Sequence, residues 1–326
     1  MMDRRRFLAG SCSLALAGAV RAQSRMPKIG YLVLVPLSER PSRERQAFLE
    51  GLRAHGYVPG KNIEIVYASA QNSAEFLDDV CQDLLAQKVD VIATSGALAA
   101  LSAKKCTRSV PVVIQALGDP VGIGAVQSLA RPEGNITGVS FLSTDLAPKR
   151  IEILREVLPR AKRVAVCWDE RNPNARAEAA AVIDAINAVG MTAERFALQS
   201  DAELRRLLGQ LTTLKPDALY VAFEAGLVGA NRTAIAQAAL EARIPVVSGY
   251  GFLTEAGGLV SYAPDIPAMF RRSASYVHRI LKGAKPSELP IELPRNVELV
   301  INLKTARALG VAIPHAFLVR ADRVIE

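Results

Sequence analysis

The alternation of apolar and polar positions divides the chain after residue 27 into short β-type runs and longer helix-type runs. Continuous apolar runs rich in β-branched residues predict buried strands, and apolar residues at i, i+3 and i+4 spacing predict amphipathic helices. In the first half, the predicted strands are 28–35, 62–68, 89–94 and 110–117, and the predicted helices are 42–55, a helix after the capping-box sequence 72–75, and 97–105.

The same pattern restarts after residue 140. The predicted helices are now 145–158, 174–189, 201–213 and 229–242, and the predicted strands are 163–168, 192–198, 217–223 and 244–248. Repeated strand–helix alternation is typical of parallel sheets with helices on both faces. Two arrays of similar length therefore predict an α/β protein with two lobes.

The stretch 110–140 is where we expect a binding edge. Its strand ends at Gly118-Asp119-Pro120, the sequence after Pro120 has an apolar side at helical spacing, and a further strand begins at Asn135. In a parallel sheet the carboxyl ends of the strands face the ligand crevice, and a helix N-terminus there offers N–H groups to anions. We therefore expect a helix after Pro120 and a binding loop at 118–124. The alternative is an ordinary strand-to-helix turn, in which Gly and Pro only allow the backbone conformation of the turn.

Residues 118–140 have the sequence GDPVGIGAVQSLARPEGNITGVS. This block resembles GDPV…SLARPGGNITGVS, a motif of a bacterial family of ABC-transporter substrate-binding proteins. Further similar blocks follow in the family's order: GYVPGKNI at 56–63, AGGLVSY at 256–262, LKGAKP at 281–286 with LP at 289–290, ELVINLKTA at 298–306, and RAD at 320–322 with VIE at 324–326. The resemblance covers roughly residues 28–326.

The resemblance implies a type I periplasmic-binding-protein fold, in the group that includes tryptophan-type binders. Two lobes, each a parallel sheet flanked by helices, would enclose a ligand cleft and close by a hinge. Three crossings between the lobes would divide the chain, with 28–140 plus 257–288 in lobe 1 and 141–256 plus 289–326 in lobe 2.

The implied function is capture of a small polar solute, with an amino acid or a related carboxylate as the first candidate. The partner would be an ABC permease in the inner membrane. No cofactor, no metal and no catalytic residue is implied, and we expect a monomer. A sensory protein that presents its solute to a membrane receptor is one alternative, and an enzyme of racemase or hydrolase type on the same scaffold is another.

Residues 1–22 have the pattern of an export signal. Arg4, Arg5 and Arg6 precede an apolar run of 14 residues at 7–20, which is too short to span a bilayer, and Ala22 offers a small residue for cleavage. The twin-arginine pattern indicates export to the periplasm, with the general export route as the alternative. Cys12 lies so close to the arginines that lipid anchoring is not expected.

Composition narrows the classes of function. Half of the chain is apolar, which excludes a disordered protein, and the net charge of +8 falls by three to +5 without residues 1–22. The remaining Lys and Arg are scattered, so no nucleic-acid surface is predicted. Phosphate-binding loops, zinc-binding HExxH and GxSxG nucleophile motifs do not occur in the sequence, which argues against an enzyme.

Three cysteines lie outside the predicted signal, namely Cys81, Cys106 and Cys167. Their wide spacing gives no disulfide framework, and small apolar core residues are the simplest interpretation. A Cys81–Cys106 pair stays open.

Candidate ligand-binding residues follow the predicted strands. Hydroxyl groups and backbone N–H groups at strand-to-helix turns can hold a carboxylate, a carboxylate can accept an ammonium group, and aromatic rings can stack on a flat ligand. Each position also has a plain structural alternative, such as a helix cap, core packing or a solvated loop acid. The candidates are Ser38, Thr94, Ser95, Gly96, Gly118, Asp119, Pro120, Trp168, Asn172, Glu224, Tyr250 and Tyr262.

Overall fold

The computed structural model describes residues 25–222, 226–294 and 296–326. The predicted export signal, residues 1–22, lies outside these ranges. The described residues form two separate sheets, one of five strands and one of seven.

The first sheet is entirely parallel, as the strand–helix alternation predicts. Its strands are β1 (Lys28–Val33), β2 (Glu64–Ser69), β3 (Val91–Thr94), β4 (Val112–Leu117) and β5 (Ile136–Ser140), in the order β2-β1-β3-β4-β5. The connecting helices are α1 (Arg43–Ala54), α2 (Leu77–Ala86) and α3 (Ala97–Cys106). Helix α1 begins where the sequence predicts, because the Ser42 hydroxyl accepts a hydrogen bond from the Arg45 N–H.

The second sheet is mixed. Its strands are β6 (Arg163–Asp169), β7 (Thr192–Leu198), β8 (Ala218–Val221), β9 (Val246–Ser248), β10 (Val260–Pro264), β11 (Val297–Asn302) and β12 (Arg323–Ile325), in the order β12-β11-β10-β9-β8-β6-β7. Only β10 and β11 pair antiparallel among these described strands. The helices of this half of the chain are α4 (Ala147–Val157), α5 (Pro173–Ala188), α6 (Asp201–Leu214), α7 (Leu227–Ala230), α8 (Arg232–Glu241), α9 (Gly251–Glu255), α10 (Ile266–Leu281), α11 (Leu303–Leu309) and α12 (His315–Val319).

Two segments lie across the boundaries that the sequence analysis expected for the lobes. Strand β10 pairs with β9 and β11 in the second sheet, although the boundary at 257 assigned it to lobe 1. Residues 289–292 run beside β5 of the first sheet, where Leu289 O accepts from Thr137 and the Glu292 N–H donates to Gly138 O, although they were assigned to lobe 2. The local sequence pattern identifies a strand but not the strand it pairs with, because pairing depends on contacts between residues far apart in the chain.

Helix α10 returns to the first sheet and packs on α1. Phe270, Ala274 and Val277 join Phe48 and Leu52 in one buried apolar cluster. The chain therefore passes between the two sheets near residues 141–146, 265 and 293, so that three connecting segments join the lobes.

Two local predictions are wrong. Residues 119–132 form a turn at 120–124 followed by irregular backbone, and not a helix. Pro120 O accepts from both Ala125 and Val126, and Gly124 has a positive φ of 71° that a helix cannot continue. The expected capping box at 72–75 is also absent from this described segment. The Ser73 hydroxyl binds the Glu75 carboxylate, and α2 begins only after a short 3₁₀ turn at Ala74–Phe76.

Candidate functional site

A cleft of about 830 Å³ opens between the two sheets. The first half of the chain lines it with the segments that follow β1, β3 and β4 and with the first turn of α1. The second half lines it with the start of α5, the segment around α7 and α8, and the segment that follows β9. These segments lie at the carboxyl ends of strands, which is where open α/β sheets bind ligands.

Six of the predicted site residues line this cleft: Ser38, Ser95, Gly96, Gly118, Asn172 and Tyr250. Gly96 precedes α3 with a φ of 79°, and this helix start has no side-chain cap within the described structure. Asn172 caps α5 by accepting hydrogen bonds from the Asn174 and Ala175 N–H groups. Tyr250 is buried and meets Phe141 edge to face at 5.8 Å between ring centroids.

Five predicted residues lie outside the described cleft lining. The Thr94 hydroxyl is buried and donates to Leu32 O at 2.9 Å. Asp119 accepts from the Gly122 N–H at 2.8 Å within its own turn, and Pro120 in the same turn is buried. Trp168 and Tyr262 both pack, half-buried, on the core of the second lobe, and the Trp168 indole N–H donates to Glu170. Glu224 lies outside the described residues.

Of the plain structural alternatives, core packing describes Trp168. Thr94 and Asp119 do not cap a helix, because Gly96 is the N-cap of α3 and no helix follows Asp119 in the described structure. Each of these three side chains makes its hydrogen bond within its own lobe. The cleft lining contains Ser95, Gly118 and Asn172, which lie nearby in the chain.

The cleft also contains polar residues that the sequence analysis missed. Four of them are Arg43, Arg45, Asn174 and Glu178. Two arginines in the first turn of a helix are electrostatically unfavourable, because the helix dipole is positive there. This unfavourable placement of positive charge is a sequence signal that could have identified Arg43 and Arg45 as candidate binding residues. Asn174 and Glu178 lie inside an Ala-rich helical pattern and carried no comparable signal.

Gly118 is the centre of a polar cluster on one side of the cleft. A Cβ atom at this position would lie 2.9 Å from both the Asn174 Nδ2 and the Ser143 Oγ atoms. Asn174 Oδ1 accepts from the Asp119 N–H at 3.2 Å, which joins the two lobes directly. The Ser143 hydroxyl is buried and has no hydrogen-bond partner among the described residues.

Beneath this cluster lies a buried ion pair. Arg150 Nη1 is 3.2 Å from Glu178 Oε1, and both side chains are inaccessible, with 0% and 1% of their surface exposed. The Tyr220 hydroxyl donates to the same carboxylate oxygen at 2.7 Å, and Arg150 also donates to the backbone oxygens of Ser143 and Tyr262 at 3.0 Å.

This network fixes the protonation of the groups below the cleft. Burial alone would lower the pKa of Arg150, but Tyr220 and Glu178 outweigh it, so the pKa lies above its ordinary value. Burial raises the pKa of Tyr220 and Tyr250 well above the usual phenol value. Arg150 therefore stays charged and both phenols stay neutral around physiological pH.

Aromatic and aliphatic side chains form much of the remaining wall of the cleft. Rings from both halves of the chain contribute to it, namely Tyr31, Phe141, Tyr250, Phe252 and Phe270. A cleft lined by both a polar cluster and aromatic rings suits a small ligand with a charged group and a flat apolar group.

No helix within the described ranges is both long enough and apolar enough to cross a membrane. Two helix-flanked sheets, one parallel and one mixed, with a ligand cleft between them define the two-lobed fold of periplasmic solute-binding proteins, as predicted. The chain belongs to the ABC transporter substrate binding protein family, whose model matches residues 32–325. This family consists of binding proteins and not of enzymes, which confirms the prediction made from the missing enzyme motifs.

Known proteins agree with this membership. A tyrosine-binding protein of Clostridioides difficile is 25% identical over 276 residues, which is 84% of this chain and 79% of the relative. The crystal structure of an ABC domain from Streptococcus pneumonia in complex with L-Trp is 26% identical, covers 92% of this chain and 99% of that chain, and gives a TM-score of 0.85. A conserved domain protein of Vibrio cholerae is 28% identical, covers 92% of this chain and 100% of that chain, and gives a TM-score of 0.86.

Proposed function

We propose that this chain is the periplasmic receptor of an ABC importer and that its solute is an amino acid with an aromatic side chain. A related aromatic carboxylate is the next candidate. The observation that carries the proposal is the division of the cleft into a polar cluster around Gly118 and a wall of five aromatic rings.

The two ends of the solute have distinct partners in this proposal. Its carboxylate binds at Ser95 and Gly96, where the uncapped start of α3 offers N–H groups. Arg43 and Arg45 add positive charge on the same side of the cleft. The ammonium group lies at the polar cluster around Gly118, where the Ser143 hydroxyl has no hydrogen-bond partner among the described residues. The ring packs among Tyr31, Phe141 and their aromatic neighbours.

The relatives support the same chemistry. Two similar proteins are a tyrosine-binding protein and a protein crystallised with L-Trp. Both of these solutes combine an ammonium group, a carboxylate and an aromatic ring.

In this proposal, transport depends on a shift in the populations of the open and closed arrangements of the lobes. The solute favours a closed arrangement of the lobes only by binding it more tightly than the open one. The closed form delivers the solute to an inner-membrane permease, and the receptor acts as a monomer. Export by the twin-arginine signal places the protein in the periplasm.

Binding assays with dissected ligands test this proposal. The protein is unfolded and refolded to remove carried-over solute, and its Tm is then measured with L-tyrosine, L-tryptophan, L-phenylalanine, leucine and a sugar panel. A ligand at about 100 times its Kd should add about 2.7 kcal/mol of stability, which raises Tm by several degrees. Tyramine lacks the carboxylate and 3-(4-hydroxyphenyl)propionate lacks the ammonium group, so both should bind more weakly than tyrosine.

Three further results test the proposed receptor against its alternatives. Trp168→Phe should leave affinity unchanged, because Trp168 packs outside the described cleft lining. Solute recovered chemically unchanged supports a receptor, whereas its consumption would indicate an enzyme. A folded protein that shifts only with sugars would contradict the amino-acid assignment.

A further inference from the structure

Two cysteines lie together where helices α2 and α3 pack on one face of the first sheet. Cys81, on α2, is buried, and Cys106, the last residue of α3, is partly exposed. Both belong to the same apolar cluster. Neither of them contributes to the described lining of the ligand cleft, so the proposed transport function makes no use of them.

Asp78 fixes the register of the two helices at this point. Its Oδ1 atom accepts from the Ser102 hydroxyl at 2.8 Å, its Oδ2 atom pairs with Lys105, and its backbone oxygen accepts from the Cys106 thiol at 3.6 Å. Cys81 lies one helical turn after Asp78, and Cys106 lies one turn after Ser102. Because residues three or four apart share a helix face, the contact that joins Asp78 to Ser102 also brings the two thiols together.

We propose that Cys81 and Cys106 form an intrachain disulfide when the folded chain meets a disulfide-bearing oxidant. The proposal goes beyond solute capture and does not depend on it. A contact between two helices that Asp78 already holds in register requires little backbone movement to be cross-linked, which is the main geometric condition for a disulfide.

The reaction balances as two thiol–disulfide exchanges. The Cys106 thiolate attacks one sulfur of the oxidant, which forms a mixed disulfide and releases the first thiolate. The Cys81 thiolate then attacks the Cys106 sulfur and releases the second. Two cysteine thiols are oxidised, one external disulfide is reduced to two thiols, and the two cysteine protons end on those thiols.

The different exposure of the two thiols sets the order of these steps. Cys106 is partly exposed, so a dissolved oxidant can approach its sulfur. Burial, followed by interaction with the Cys106 thiol, raises the pKa of Cys81. Cys106 is therefore the entry thiol and Cys81 the slower, resolving thiol.

Peptide mapping of the full chain tests the proposal. The folded protein is incubated with oxidised glutathione, its remaining thiols are alkylated, and it is digested with trypsin without reduction. The expected product is peptide 62–88, which contains Cys81, linked to the tripeptide 106–108, which contains Cys106. Cys12 and Cys167 lie on other tryptic peptides, so any product that involves them is distinguished from the Cys81–Cys106 link.

Variants provide the matched controls. Cys81→Ser and Cys106→Ser should each abolish the linked peptide, and Cys81→Ser should accumulate glutathione on Cys106. Cys167→Ala removes a buried thiol of the second lobe and should leave the link intact. The oxidised wild type should also melt a few degrees higher than the reduced protein, because the cross-link restricts the unfolded chain.

Two results would overturn the proposal. One is a folded wild-type protein in which Cys106 carries glutathione but never links to Cys81. The other is a link that appears only when the oxidation is carried out in denaturant, because the folded helices would then not hold the thiols together.

Discussion

At the scale of single residues, Arg150 and Glu178 form the most deeply buried ion pair of the described structure. Their contact is 3.2 Å long, and almost no surface of either side chain is exposed. A buried guanidinium is tolerated only while its partners remain, because moving a charge out of water costs several kcal/mol. Gly249 contributes space for it, since a Cβ there would lie 2.6 Å from the Arg150 Cζ atom.

Glu178→Leu should lower the free energy of unfolding by about 3–5 kcal/mol, because it leaves a buried positive charge without its carboxylate. Leucine keeps most of the side-chain volume, so lost packing explains little of this effect. Urea denaturation measures it. The control is Glu152→Ala on α4, which removes the exposed partner of Lys149 at 2.7 Å and should cost less than about 1 kcal/mol. Equal losses in the two variants would contradict the role assigned to burial.

At the scale of elements, the contact between α1 and α10 depends on a glycine in the middle of a helix. Gly51 lies within α1, where glycine normally weakens a helix. A Cβ at this position would lie 2.4 Å from the Arg271 backbone oxygen and 2.8 Å from the Ala274 Cβ atom. The small residue therefore permits the close approach that buries Phe48 and Leu52 beneath α10.

Gly51→Ala should destabilise the protein by about 1–3 kcal/mol, since the added methyl group collides with backbone and forces the helices apart. Gly209→Ala is the matched control, because Gly209 also lies inside a helix but a methyl group added there would have nothing within 4 Å. That variant should be more stable than wild type by about 0.5–1 kcal/mol. Urea midpoints that move in the same direction for both variants would refute the close-approach explanation.

At the scale of the whole molecule, Glu255 connects the two lobes beside the cleft. Its Oε1 atom accepts from Arg43 of α1 at 2.8 Å and from Arg323 of β12 at 2.5 Å. Burial would raise the pKa of Glu255, but the hydrogen bonds from the two arginines outweigh it and hold the pKa below its ordinary value. The bridge is therefore present at neutral pH and is lost only in acid, as pH falls through the lowered pKa.

If solute binding favours this arrangement of the lobes, Arg43→Ala should weaken binding by about 1.4- to 5-fold, equivalent to about 0.2–1 kcal/mol for one exposed pair. Calorimetric Kd values measure the effect. Arg271→Ala removes a similar exposed pair with Glu50, at 2.7 Å within the first lobe, and should leave Kd unchanged. The difference between the two variants should shrink in acid and at high salt. A difference that persists in about 1 M salt would mean that Arg43 acts by other means.

Particular residues show which features of the fold and the site can be predicted from the sequence. Ser42 is recognisable as a helix cap because the hydrogen bond it accepts comes from a residue three positions away. Gly118 is recognisable as part of a binding edge because it ends a buried strand. Asn174 and Ser143, which complete the polar cluster around Gly118, are not recognisable, since nothing in their own neighbourhoods records that the two lobes meet there.

The sequence by itself determined the α/β class, the strands and helices of both lobes and the family, because apolar periodicity and short motifs are local properties. Only the tertiary structure decided that β10 and β11 pair antiparallel, that 119–132 turns without forming a helix, and that Arg150 and Glu178 share one buried site. Each of these depends on contacts between residues far apart in the chain, and the free energy of such contacts is fixed by packing and desolvation that arise only once the lobes are assembled.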